Sequence, residues 1–376
     1  MRIDKLKFSL LALVVLAISF QFSSIGLKEF YEPIRALIMV LVLMLSVISL
    51  GNYKALANHK STIVLPGIIL IFFFSILLIF SGVSSNEVDY SPIRDAILVV
   101  FVLMISITTD ISTPKLNLLK FIFVATISIS AVTIPLFIGQ GFQIEEVYLP
   151  VPKNQLAPIF AAGILIGLYS LTTEKSKGRK LILLLSLSLL IVVLVVLRGR
   201  SALIALLFGL ILYFIFVVKR IKYMIIVVLL LIVTFPLYFD YLYKSFFLNQ
   251  NVDDINSISS GRTEVYLEGI EILSKSLLFG KMYSNLNTSY TIHNYLLKNL
   301  VEYGLLSLIF FYFYFRILWS AIRGLYLKNR GDRLNSILIL MLFLISLTEY
   351  TYPFAPGSSV FFTFILYGQT LRLNKI

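Results

Sequence analysis

The chain has no cysteine and only two histidines, His59 and His293, in 376 residues. Without cysteine there are no disulfides, thiol nucleophiles, iron–sulfur clusters or cysteine-ligated zinc. Two histidines leave no histidine-rich metal cage. Charge is scarce as well: 14% of residues are charged and 59% are hydrophobic. Soluble domains run at about 25% charged and 45–50% apolar, so a water-soluble globular fold is excluded.

What the chain has instead is long, continuous apolar runs. A bilayer core needs about 20 apolar residues per helix. Twelve segments meet this requirement: 8–23, 33–50, 62–81, 92–108, 118–138, 155–172, 181–197, 201–218, 222–238, 293–315, 334–350 and 354–371. They lack the short alternating pattern of a transmembrane β-barrel. The expectation is an all-α polytopic membrane protein of about twelve transmembrane helices. The start, MRIDKLK followed by an apolar run, resembles a signal peptide. Because the rest of the chain is also apolar, it reads better as an uncleaved first helix. Residues 1–376 read as a single integral membrane domain.

Lys and Arg orient the helices. With the N-terminus inside, the inner segments hold 21 of the 32 basic residues but only Asp4, Asp110, Glu174 and Asp332, a net +17. The outer side holds 11 basic and 15 acidic residues, a net −4. EKSKGRK at 174–180 is the clearest inner loop, and SGVSSNEVDY at 81–90 has no basic residue. Both termini are then cytoplasmic. The overall +13 reports topology, and no nucleic-acid partner is expected.

One outer loop, 239–292, is much longer than the rest, and such loops are usually functional or disordered. It contains GRTEVYLEGIEILSKSLLFG at 261–280. Tyr266, Ile270, Leu273 and Leu277 recur at helical spacing, and Glu264, Glu268, Glu271 and Lys275 do so on another face. This predicts an amphipathic surface helix with one apolar stripe.

Candidate chemistry gathers at the outer face, where ionisable groups are costly unless they pair or act. Arg198 and Arg200 lie in LRGRSALIAL, where Gly199 turns the chain between two spans. Their planar forks suit phosphate oxygens; the plainer reading is snorkelling to headgroups. Arg262 falls in the first turn of the loop helix, with Ser260 as a plausible N-cap. A cation is disfavoured there unless an anion binds with it or a carboxylate such as Glu264 pairs with it. His293 opens the tenth segment in TIHNYLLKNLVEYGLL, with Thr291 as a candidate cap. Gly304, at i+11, would share its helix face and allow close packing below the imidazole. Glu302 points away and has Lys298 as its natural partner. His293 reads either as a cap or interface residue or as a catalyst; His59 lies in an inner loop and reads as solvated.

Together these motifs resemble the O-antigen ligase and polymerase superfamily of bacterial envelope glycosyltransferases. Its S-R-x-A-like stretch is matched by Gly199-Arg200-Ser201-Ala202, with Gly in place of the usual Ser. Its G-R-x-x-x-aromatic segment is matched by Gly261-Arg262-Thr263-Glu264-Val265-Tyr266. A (P)-L-F-G-x-G-like turn is matched by Leu277-Leu278-Phe279-Gly280-Lys281-Met282, without the Pro and the last Gly. H-N-x-x-L with H-x10-G spacing is intact in His293, Asn294, Leu297 and Gly304, and a weaker N-x-x-A matches Asn154 and Ala157. The matched region covers about 150–320.

The resemblance implies glycan transfer from undecaprenyl diphosphate to an acceptor hydroxyl at the periplasmic face of the bacterial inner membrane. Arg200 and Arg262 would stabilise the leaving diphosphate, and His293 would take the acceptor proton or hydrogen-bond the diphosphate. Arg198, Lys153, Asn154 and Asn294 are further substrate-binding candidates. The implied partners are a lipid-linked oligosaccharide donor, a glycan or lipid A–core acceptor, membrane lipid and a chain-length regulator. No cofactor or metal is expected. A repeat-unit polymerase is favoured, because only about a dozen residues separate Gly280 from His293 and ligases often carry a longer insert there. The alternatives are an O-antigen ligase and, from a different class, a transporter of lipid-linked glycan. Transporters show paired halves and mid-membrane polar helices, and neither is evident in this sequence.

Overall fold

The computed structural model describes residues 28–51, 104–108, 153–197, 199–219, 262–280 and 292–349, with a few isolated residues or pairs elsewhere. The elements are α1 (Lys28–Leu50), α2 (Lys153–Thr173), α3 (Lys177–Val196) and α4 (Arg200–Leu212), which is continued by a π-helical segment, Tyr213–Val218. They continue with α5 (Arg262–Lys275), α6 (Tyr295–Tyr303), a 3-10 turn (Gly304–Ser307), α7 (Leu308–Gly324) and α8 (Arg330–Ser346). Among the described residues there is no strand, as the apolar runs require. Lys177–Val195 and Arg200–Val218 are each long and apolar enough to cross a bilayer, and Ala36–Leu50 and Ala157–Thr173 are shorter apolar helices. The predicted segments 8–23, 62–81, 92–108, 118–138, 222–238 and 354–371 lie wholly or mostly outside the described residues.

The described bundle has two poles. α2 and α3 meet at one of them, where the Glu174 carboxylate accepts from the backbone N–H groups of Lys175 (2.9 Å) and Ser176 (3.0 Å). α3 and α4 meet at the other, around Gly199. α8 packs on α2, α4 and α7 and is buried along almost its whole length. Its apolar residues would not hold it there in lipid, which is as apolar as they are; close van der Waals packing must. Small residues permit that packing. Ala157, Ala161 and Ala162 on α2 and Ala202 and Ala205 on α4 are buried. A Cβ on Gly209 would stand 2.7 Å from Leu165 Cδ1. Near the second pole the Tyr314 hydroxyl bonds Ser346 Oγ at 2.7 Å, and its ring stacks on Tyr295 at 5.6 Å. α7 therefore ties the start of α6 to the end of α8.

Two expectations change. The segment 293–315 is not one helix, because α6 stops at Gly304, which has φ 58° and ψ −145°, before α7 begins. Gly304 therefore does not share a helix face with His293. α7 then runs to Gly324, which places Arg316 inside it rather than in an inner loop. There its guanidinium donates to the Tyr312 hydroxyl (2.8 Å) one turn back and lies 5.9 Å from the centre of that ring.

The poles are open to a direct test, since a chain without cysteine gives no labelling background. Ser176→Cys lies between α2 and α3, and Ser274→Cys lies on an exposed position of α5. In intact spheroplasts an impermeant maleimide should label Ser274→Cys and reach Ser176→Cys only after permeabilisation. The reverse pattern would invert the orientation.

Candidate active site

The apolar run of α8 ends in Leu347, Thr348 and Glu349, and the Glu349 side chain is only 2% exposed. A buried carboxylate is costly unless paired and hydrogen-bonded. Glu349 is paired twice. Its Oε1 accepts from the Arg262 guanidinium at 3.2 Å, and its Oε2 lies 3.1 Å from His293 Nδ1. Arg262 also donates to the Thr348 carbonyl (2.8 Å), and Asn294 Nδ2 to the Leu347 carbonyl (3.0 Å). Three consecutive residues just after α8 are thus each engaged by a side chain from α5 or the start of α6. The carbonyls belong to the negative end of the α8 dipole, which favours a cation. Arg262 is unfavourably placed on its own helix and favourably placed on α8. The predicted carboxylate partner exists, but it is Glu349 rather than Glu264. Ser260, the expected cap, lies outside the described residues.

His293 sits just before α6, whose N-cap is Asn294. The Asn294 side chain accepts from the Leu297 N–H at 2.9 Å. Thr291, the cap suggested by sequence, lies outside the described residues. The Tyr266 hydroxyl donates to the His293 carbonyl at 2.7 Å. Burial raises the Tyr266 phenol, with Arg262 opposing and Glu349 reinforcing the shift, so the hydroxyl remains a donor. An ionised carboxylate on Nδ1 calls for a proton there and makes Nε2 the lone-pair nitrogen. The side chains of Arg262 and His293 are 28% and 31% exposed, open enough to meet a ligand.

Two glycines set the distance between Arg262 and His293. Gly280, at φ 62°, ends the turn after α5, and Gly304, at φ 58°, ends α6. A Cβ on Gly280 would meet the Val301 carbonyl at 2.5 Å, and one on Gly304 would meet the Leu277 carbonyl at 2.5 Å. The Leu305 N–H bonds that Leu277 carbonyl at 2.9 Å. The two turns interlock backbone to backbone, which only glycine allows at both positions. The buried face of α5 is Val265, Gly269, Ile272 and Leu273, against Ile292 and Val301. This corrects the expected stripe: Leu273 and, in part, Tyr266 are on it, but Ile270 and Leu277 are exposed. The buried residues keep helical spacing on a neighbouring face, where Gly269 lets α5 approach Val301 and Ile292 closely. Lys298 pairs with Glu302 at 3.6 Å, as its spacing predicted.

Arg200 is the first residue of α4, and Arg262 is close enough to repel it electrostatically. The structure therefore gathers Arg200, Arg262, His293, Asn294 and Glu349 at one pole. Behind Arg200, a Cβ on Gly199 would lie 2.4 Å from Ala157 Cβ, so the N-x-x-A element packs directly on the G-R-S-A turn. Lys153 and Asn154 form the first turn of α2, one turn before Ala157. Their side chains and the whole of Arg198 lie outside the described residues.

Glu349 was not singled out from sequence. The signal was there, because an acidic residue at the end of an apolar segment meets the same test that selected the arginines. No motif marked it, and it stands 56 positions from His293.

Residues 181–312 match the O-Antigen ligase family model. This stretch, about a third of the chain, contains Arg200, Arg262, His293 and the glycine pair. Glu349 lies beyond it. No curated protein matches the chain. Family members are glycosyltransferase-like, membrane-associated bacterial enzymes with lipid-linked glycan donors, so the match supports a role in surface-polysaccharide synthesis.

Gly304→Ala should force a left-handed backbone onto a residue with no room for its Cβ. The expected cost is about 2 kcal/mol or more. It should be read as a lower melting temperature in detergent, with the Arg262–His293 spacing lost. An unchanged melting temperature would show that the two turns are not interlocked.

Proposed function

We propose that residues 181–312 act, as the O-antigen ligase family they match suggests, in a glycosyltransferase that uses an undecaprenyl-diphosphate-linked donor at the outer face of the inner membrane. The observation that carries this reading is the Glu349 carboxylate, which holds a guanidinium on one oxygen and an imidazole on the other. A phosphate-binding cation and a proton acceptor are thereby placed side by side.

The acceptor hydroxyl attacks the anomeric carbon. A new C–O bond forms as the bond to the diphosphate oxygen breaks, and the electron pair leaves with the diphosphate. His293 Nε2 takes the hydroxyl proton. Glu349, on Nδ1, holds the tautomer and stabilises the imidazolium that forms, following the logic of a carboxylate–histidine pair. With His293 neutral, Arg200, Arg262 and Glu349 leave one net positive charge, which rises as the proton arrives and as negative charge grows on the leaving group. Two arginines can do here what a divalent cation does elsewhere, so the step is proposed as metal-independent and, as a single displacement, inverting.

The short stretch between Gly280 and His293 favours repeat-unit polymerisation, in which the acceptor is another lipid-linked glycan. The family model's description favours ligation to lipid A–core. In a deletion strain a lipopolysaccharide gel distinguishes them: core capped by a single repeat means polymerase, and uncapped core with accumulated lipid-linked polymer means ligase.

His293→Ala should reduce glycosidic-bond formation by about 10²–10⁴-fold in purified, reconstituted protein at normal expression. Glu349→Gln should fold and lose about as much, because its amide would donate to Nδ1 and leave the proton on Nε2. Glu349→Asp should recover part of the rate. Full glycan chain-length ladders from both His293→Ala and Arg262→Ala would refute the catalytic assignment.

A further inference from the structure

A second charged site lies at the opposite pole, about 28 Å away along the 19 residues from Arg200 to Val218. There the π-helical segment ends in Lys219, the one non-glycine residue with positive φ (56°) among those described. Irregular backbone of this kind clusters at functional sites. Beside it opens a cavity of about 680 Å³, lined by Phe216 and Lys219 on one side, Tyr326 and Lys328 on another, and Arg333 at the back.

Arg333 is 7% exposed. Its guanidinium donates to the Phe216 carbonyl and, at 3.0 Å, to the Lys328 carbonyl. Those bonds cap the end of the π-helical segment and the 325–329 turn. They do not neutralise the charge, and Arg333 Nε has no hydrogen-bond partner. Among the described residues no carboxylate pairs with Arg333, Lys219 or Lys328. Among the described residues, three cations thus line one cavity with no carboxylate paired to them, and one of them is buried with an unbonded donor. Phe216 and Tyr326 meet edge to face at 5.7 Å and give the cavity an apolar wall. The apolar surface continues toward the other pole through the exposed Ile215, Leu207 and Ile204 of the same helical run.

We propose that this cavity binds an anionic phospholipid, with its phosphate on Arg333, Lys219 and Lys328 and an acyl chain along Ile215, Leu207 and Ile204. A headgroup phosphate supplies the missing counter-ion, and the exposed apolar track suits a chain better than water. The site lies at the end of the bundle that carries the basic 174–180 turn, where anionic headgroups are attracted to clustered Lys and Arg. It does not depend on the glycosyl-transfer reading.

The test uses the full-length protein in a neutral detergent, with its melting temperature followed on adding phosphatidylglycerol, phosphatidylcholine or inorganic phosphate. Phosphatidylglycerol alone should raise it, by about 3 °C or more. Arg333→Gln removes a buried cap and could fail to fold, so the deciding variant is Lys219→Asn with Lys328→Gln; asparagine tolerates the left-handed backbone. This double variant should lose the phosphatidylglycerol shift and keep its melting temperature in phosphatidylcholine. Lys177→Gln with Lys180→Gln, which removes the same charge from exposed positions at the same pole, should keep the shift. Equal stabilisation by phosphatidylcholine or inorganic phosphate, or a full shift in the Lys219/Lys328 variant, overturns the proposal.

Discussion

Burying the carboxylate of Glu349 at the end of an apolar helix carries a desolvation cost of several kcal/mol, which its partners must offset. Arg262 and His293 do so, one on each oxygen. Much of the surrounding structure maintains that arrangement. α5 must arrive with Arg262 in its first turn, and α6 must begin just after His293. The two glycine turns lock α5 to α6, while Tyr314 joins Tyr295 of α6 to Ser346 of α8 one turn before Glu349. The carboxylate is thus the common end point of three helices that are far apart in sequence.

The same carboxylate reconciles two readings of Arg262 that sequence leaves opposed. An ion-paired arginine is usually a structural one. Here the partner also holds the imidazole, so the pair organises a site while its guanidinium stays partly open. Arg200 adds a second cation, part-buried and within electrostatic reach of Arg262.

The two poles treat charge differently. At the Glu349 pole cations and a carboxylate are combined, which suits proton transfer and a charged leaving group. At the Arg333 pole the buried cation is held, among the described residues, by neutral carbonyls. Between them α8 is lined by close-packed small and branched side chains, because apolar area by itself does not drive helices together in lipid.

The sequence alone determined the helical class and most of the helical spans that the structure describes, and it singled out Arg200, Arg262 and His293 as ionisable residues at the ends of apolar runs that needed a reason to be there. Apolar length and charge are local properties, so they can be read from the chain directly. Local spacing failed where Gly304 ended a helix and where α5 carried apolar residues at helical spacing on two neighbouring faces. It carried the His293 helix through Gly304 and put the buried stripe of α5 on Ile270 and Leu277 rather than on Val265 and Ile272. Only the tertiary structure selected Glu349, because a carboxylate becomes a partner by being folded against a cation and an imidazole. It also exposed the Arg333 cavity, whose three cations come from two stretches of chain that are distant in sequence, one at Lys219 and one at Lys328 and Arg333. In both cases the deciding quantity is an electrostatic balance between elements that meet only in the folded bundle.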